Sequence, residues 1–89
     1  MNALLKEDHK CFREVLEEAQ LLRWSKLQDY GLCYGEFGIL GLIIKVNDKC
    51  SRIKQVFKNN NVNNESLRDS AIDLLNYSAM LVMELDKKK

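Results

Sequence analysis

The twenty residues Gly38-Ile39-Leu40-Gly41-Leu42-Ile43-Ile44-Lys45-Val46-Asn47-Asp48-Lys49-Cys50-Ser51-Arg52-Ile53-Lys54-Gln55-Val56-Phe57 settle the architecture of this chain. Within them Ile39, Ile43, Val46, Cys50, Ile53 and Phe57 recur at steps of three and four, the period that lines up one face of an α-helix and scatters over both faces of a strand. A helix is therefore expected from near Glu36 to about Phe57. Gly38 and Gly41 sit in its first turns, where each weakens a helix by about 1 kcal/mol relative to alanine. Close packing against another backbone is the simpler reason for their presence, and the approach of a ligand is the other.

Beyond Phe57 the run Asn59-Asn60-Asn61-Val62-Asn63-Asn64 reads as a loop, because asparagine side chains compete for backbone hydrogen bonds and tolerate left-handed conformations. A third helix should follow from about Glu65 to Leu85, with Asn64 as its N-cap and Glu65 placed favourably in the helix dipole. Its main apolar stripe is Leu67, Ala71, Leu74, Leu75, Ser78, Leu81, Val82 and Leu85. Asp69, Asp73, Asn76, Met80 and Met83 fall on the opposite side, flanked by Ile72, Tyr77 and Ala79. That second side is too apolar for a plain solvated surface, so it is expected to face another helix, from its own subunit or a neighbour. The terminal Asp86-Lys87-Lys88-Lys89 should fray.

Before Gly38, the positions Leu5, Phe12, Val15, Leu16, Ala19, Leu22 and Leu27 mark an amphipathic first helix from about Ala3 to Leu27. The segment from Gln28 to Gly35 holds two of the four glycines and Asp29, and is expected to be a structured loop. The sequence thus predicts an all-α fold: one domain over 1–89, a three-helix bundle whose two long C-terminal helices form an antiparallel hairpin.

Composition narrows the function classes. At 89 residues with 46% hydrophobic content the chain has more apolar surface than so small a core absorbs, and burial of a second face between subunits is expected, a homo-oligomer. Fourteen basic against thirteen acidic residues leave a net charge of +1, so no extended nucleic-acid surface is expected and any phosphate site must be local. No stretch reads as a signal peptide or membrane span, the apolar run from Gly38 to Ile44 being stopped by Lys45, and a cytoplasmic location is expected. Cys11, Cys33 and Cys50 form neither a C-x-x-C pair nor a metal-ligand set with His9, and read as free thiols in a reducing compartment. No serine or cysteine has an identifiable base, so neither a catalytic residue nor a metal ligand is assigned.

One group of residues carries chemistry. Lys45, Asp48, Lys49 and Arg52 share a face of the second helix, and Asp69, Asp73 and Asn76 share a face of the third. If these helices are antiparallel neighbours, the two sets meet across one groove, with two outcomes. The charges simply pair with one another, or they form a nucleotide site. In the second case Lys45, Lys49 and above all Arg52 suit phosphate. Asp48, Asp69 and Asp73 would accept hydrogen bonds from sugar or base or share a magnesium ion, and Tyr30, Tyr34 or Tyr77 would stack on a base. Asp69 and Asp73, one turn apart, repel by a few tenths of a kcal/mol unless a cation or donor intervenes.

These residues also carry a resemblance. The order Tyr30-Gly31, then Gly38-x-x-Gly41, then Asp48-Lys49-x-x-Arg52, then Glu65-Ser66-x-x-Asp69-x-x-x-Asp73-Leu74-x-Asn76-Tyr77 resembles nucleotide modification associated domain 1 from Tyr30 to Leu85. Lys45 departs from the family's usual arginine, and Leu32-Cys33-Tyr34 replaces an aromatic that usually follows the Tyr-Gly pair. The resemblance implies a small all-α protein of phages and bacteria, linked to nucleotide metabolism or modified bases; the helical spacing supplies the expected ligand-binding residues, Tyr30, Lys45, Asp48, Lys49, Arg52, Asp69, Asp73, Asn76 and Tyr77. With no catalytic apparatus in view, binding and sequestration of a nucleotide or a nucleotide-derived defence signal, without a cofactor, is the most economical function, in the host cytoplasm if a phage encodes it. Two alternatives stand beside it. One is a magnesium-dependent pyrophosphatase similar to the MazG-like enzymes, although Glu65, Asp69 and Asp73 do not reproduce their glutamate-rich motifs. The other is a non-catalytic structural subunit of a nucleotide-modifying complex.

Overall fold

A computed structural model of the chain describes residues 2–30, 38–59 and 64–87, with side chains described throughout these except at 29, 30 and 64–66. Three α-helices account for nearly all of them: α1 Ala3–Tyr30, α2 Gly38–Lys58 and α3 Asn64–Lys87. The all-α, three-helix reading holds, and each helix lies within a few residues of its expected span. Asn2 caps α1, accepting a hydrogen bond from the Leu5 amide at 2.9 Å. At its other end α1 runs three residues beyond Leu27, because Gln28, Asp29 and Tyr30 contain no breaker. The rest of the loop expected from Gln28 to Gly35, with Tyr34, lies outside the described residues, as do Asn60 to Asn63 of the asparagine-rich loop.

α2 and α3 pack along their length as the expected antiparallel hairpin, while α1 makes a smaller contact on α3. The hairpin register can be read from one ion pair. Lys49 and Asp73 stand 3.0 Å apart, twelve residues either side of Asn61. Nineteen residues either side of the same centre are Leu42 and Met80, which are both buried. With Ile72 and the α1 residue Ala19 they form the buried apolar core among the described residues. Ala19 is small enough to let the backbone of α1 approach α3 closely: the Asn76 amide of α3 donates to the Ala19 carbonyl at 3.0 Å.

Two local expectations are corrected. Gly38 adopts φ +62°, the left-handed region that costs an L side chain about 1–2 kcal/mol, and a Cβ there would meet nothing within 4 Å. Its glycine answers a backbone conformation at the start of α2 rather than close packing. On α3 the second side does face other helices, those of its own chain, and the correction concerns the main stripe. Buried Ser70, Ile72 and Met80 and half-buried Asp73, Asn76 and Tyr77 turn inward, whereas the regular stripe read as core is left half-buried at Leu67, Leu74, Leu75, Ser78 and Leu81 and exposed at Ala71, Val82 and Leu85. The polar side faces the chain's own helices and carries groups that bind them: Asp73 to lysines of α1 and α2, and Asn76 to the α1 backbone.

Among the described residues no helix is long and apolar enough to cross a membrane.

Candidate functional site

The site is built around Asp73. Its position in α3, facing the line where α1 and α2 both approach, brings its two oxygens to different helices. Oδ1 accepts from Lys26 Nζ of α1 at 3.1 Å, and Oδ2 lies 3.0 Å from Lys49 Nζ of α2. The carboxylate is 17% exposed, Lys49 25% and Lys26 49%, so the pairing is sheltered on the α2 side and open to water on the α1 side. Partial burial alone would raise the Asp73 pKa. The hydrogen bonds from Lys49 and Lys26, with their charges, outweigh it and hold the carboxyl below its ordinary value.

Around this centre the structure distributes the expected residues unevenly. Lys49 reaches Asp73, and Asn76 is engaged with the α1 backbone. Tyr77 is half-buried one turn further along α3. Lys45 and Arg52 flank Lys49 on α2, Asp48 precedes it, and all three are exposed. Among the described residues none of them makes an ion pair with another side chain. Asp69 is exposed one turn before Asp73 and stands outside the lysine pairing. The side chain of Tyr30 is outside the described residues. The repulsion anticipated between Asp69 and Asp73 is offset by the two ammonium groups on Asp73.

Two participants were not anticipated. Lys26 had a readable signal: Leu5, Phe12 and Ala19 recur every seven residues on α1, and the next position in that register is Lys26, a charge where the pattern asks for an apolar residue. Its ammonium end finds an anion instead of a core. The second is Arg68, whose two terminal guanidinium nitrogens donate to the Glu18 carboxylate of α1 at 2.5 and 2.6 Å. Nothing in the spacing of either helix pairs residues fifty positions apart. The arginine's hydrogen bonds hold the Glu18 carboxyl below its ordinary value.

Chemically the junction is one carboxylate held between two ammonium groups. Each ammonium has three donors and commits one to Asp73, so both keep capacity for a phosphate or a second carboxylate, with Lys45 and Arg52 on the adjoining rim. Asp73 retains unused lone pairs that can accept from a hydroxyl or an amine. A divalent cation is less well served. Among the described residues no three of His, Cys, Asp and Glu converge as a metal site, and a cation at Asp73 would have to displace two lysines.

A sequence profile described as nucleotide modification associated domain 1 matches residues 26–85. No curated protein and no solved structure matches the chain. The profile begins at Lys26 and takes in Lys49, Arg52, Asp73 and Asn76, so it spans the whole junction and leaves out the preceding part of α1. The chain belongs to the nucleotide modification associated domain 1 family.

Proposed function

We propose that the chain binds a nucleotide, or a signal derived from one, by its phosphate at the three-helix junction, and holds it without chemical change. The observation that carries this reading is the meeting of Lys26 and Lys49, from different helices, on one carboxylate, with Arg52 and Lys45 exposed beside them. Arg52 supplies the planar fork suited to a phosphate, and Asp48, Asp69 and Asp73 supply acceptors for sugar hydroxyls or base amines. Family membership supports a nucleotide over other anions. The occupation of both Asp73 oxygens by lysines favours binding over magnesium-dependent cleavage, because an ion held at Asp73 would have to displace two ammonium groups. Sequestration of this kind takes place in the cytoplasm, that of the host if the gene is carried by a phage, and requires no cofactor.

The test is a thermal-shift panel of mononucleotides, cyclic dinucleotides and ADP-ribose derivatives, followed by chromatography of the ligand recovered from denatured protein. A ligand at a hundred times its dissociation constant adds about 2.7 kcal/mol, or about 10–20 °C for a domain of this size. Recovery of intact ligand is the expected result. Release of a monophosphate in many-fold excess over protein overturns sequestration, and the absence of any shift across the panel overturns nucleotide binding.

A further inference from the structure

The chain leaves one large surface uncovered, and its own chemistry describes what fits there. Every described residue of α1 up to Glu18 is exposed. Ala19 is the first residue of α1 to be buried, and the Glu18–Arg68 pair marks where the helix leaves α3. The preceding part of α1 is about 24 Å of projecting helix. It carries Leu5, Phe12, Val15 and Leu16 on the same face as Ala19, with Phe12 62% and Leu5 55% exposed. A helix of that length without tertiary support is marginal in water.

On α3, Ala71, Leu75, Ser78, Val82 and Leu85 recur at steps of four and three, the seam of a helix that packs on another helix. Ala71, Val82 and Leu85 of this seam are exposed, Val82 at 55% and Leu85 at 47%, and Leu75 and Ser78 are half-buried. It stretches about 21 Å, close to the 26 Å from Leu5 to Leu22 on α1. Arg68 lies on the flank of α3 next to this seam, so the projecting half of α1 and the seam adjoin at the Glu18–Arg68 pair. Together they form the two sides of one apolar corner.

The amount of surface identifies the class of partner. A compact monomer of 10.4 kDa exposes about 5,400 Å². This chain exposes 7182 Å², and its radius of gyration is 15.1 Å against about 12 Å for a compact domain of 89 residues. The excess is about 1,800 Å² per chain, roughly twice what each partner contributes to a standard interface and within the range of an obligate homodimer. A transient partner would leave most of it bare.

We propose that a second copy of the chain fills the corner, in a two-fold dimer. The α3 helices pack on each other along the Ala71–Leu75–Ser78–Val82 seam, and the first half of each α1 lies over the partner. The polar junction around Asp73 faces the opposite way and stays open, so this assembly does not depend on the ligand reading.

Sedimentation velocity between 1 and 100 µM tests it, with wild type beside Val82→Glu and Phe12→Glu, two exposed positions outside the chain's own core. The expected result is a species of twice 10.4 kDa for wild type and at least tenfold weaker association for each variant. A monomeric wild type at 100 µM, or association unchanged in both variants, overturns the proposal. Hydrogen exchange of wild type needs no variant and decides the matter if either substitution disturbs folding. Amides of residues 3–17 should become protected as concentration rises, and protection independent of concentration refutes the dimer.

Discussion

Replacing Asp73 by asparagine keeps the shape of the side chain and removes the charge that ties α1 and α2 to α3. The magnitude follows from the exposure of the two pairs. Lys26 is half exposed, which places its bond with Asp73 among surface pairs at about 0.2–1 kcal/mol. Lys49 and Asp73 are mostly sheltered, and a charge-assisted hydrogen bond there contributes about 1–2 kcal/mol. The expected loss is about 1.2–3 kcal/mol, a fall in melting temperature of about 6–16 °C for a domain of this size. Calorimetry at a single fixed protein concentration measures it, since association would otherwise shift the midpoint. The pH dependence has a definite sign. The folded pKa of Asp73 is depressed, so its contribution is complete above the unfolded value of about 3.9 and is lost as pH falls through the folded value. The gap between wild type and Asp73→Asn should therefore be full above about pH 5 and close below pH 4. A variant within a degree of wild type at pH 7, or a gap that persists undiminished into acid, refutes the account of Asp73 as the tie between helices.

Gly38→Ala should destabilise by about 1 kcal/mol through its positive φ alone, and a chemical denaturation curve that does not move contradicts this. Asn76→Ala removes the donor to the Ala19 carbonyl and should cost about 1 kcal/mol, loosening α1 first, so that exchange of α1 amides rises before that of α2 and α3. The Cys11 thiol, exposed yet raised in pKa by desolvation and by Glu7, Glu14 and Asp8, should alkylate at pH 8 more slowly than a free model thiol. Equal or faster alkylation removes that reading.

The helices were legible because periodicity and breakers are local: the stripe from Ile39 to Phe57 marks α2 to within two residues at its N-terminal end, and the asparagine run marks the turn to α3. The side of α3 that turns inward was legible in part: its second side was expected to face a helix of its own subunit or a neighbour, and it faces the chain's own α1 and α2, but it was not expected to be the more buried of the two. Its apolar stripe is the more regular, and local pattern assigns such a stripe to the core, but the inward side was decided by long-range partners. Asp73 pairs with a lysine forty-seven residues away and Asn76 with a carbonyl fifty-seven away. The sequence set Lys45, Asp48, Lys49 and Arg52 across a groove from Asp69, Asp73 and Asn76 on condition of antiparallel helices, without singling out the Lys49–Asp73 pair, and Lys26 entered from a helix read as amphipathic packing. Arg52 and Lys45 were correctly grouped with Lys49 on one arc of α2, but that grouping does not reveal that they stay exposed while Lys49 is engaged.

The claim that the junction binds a nucleotide by its phosphate is tested most directly by titrating the strongest thermal-shift ligand into wild type and Arg52→Ala by calorimetry. Arg52 is exposed and belongs to no ion pair among the described residues, so its removal should leave the fold intact. Loss of a charge-assisted bond of about 1.5–3 kcal/mol predicts a dissociation constant raised about 10- to 150-fold, with the same stoichiometry. Equal affinity in the two proteins would contradict the assignment of phosphate to this face.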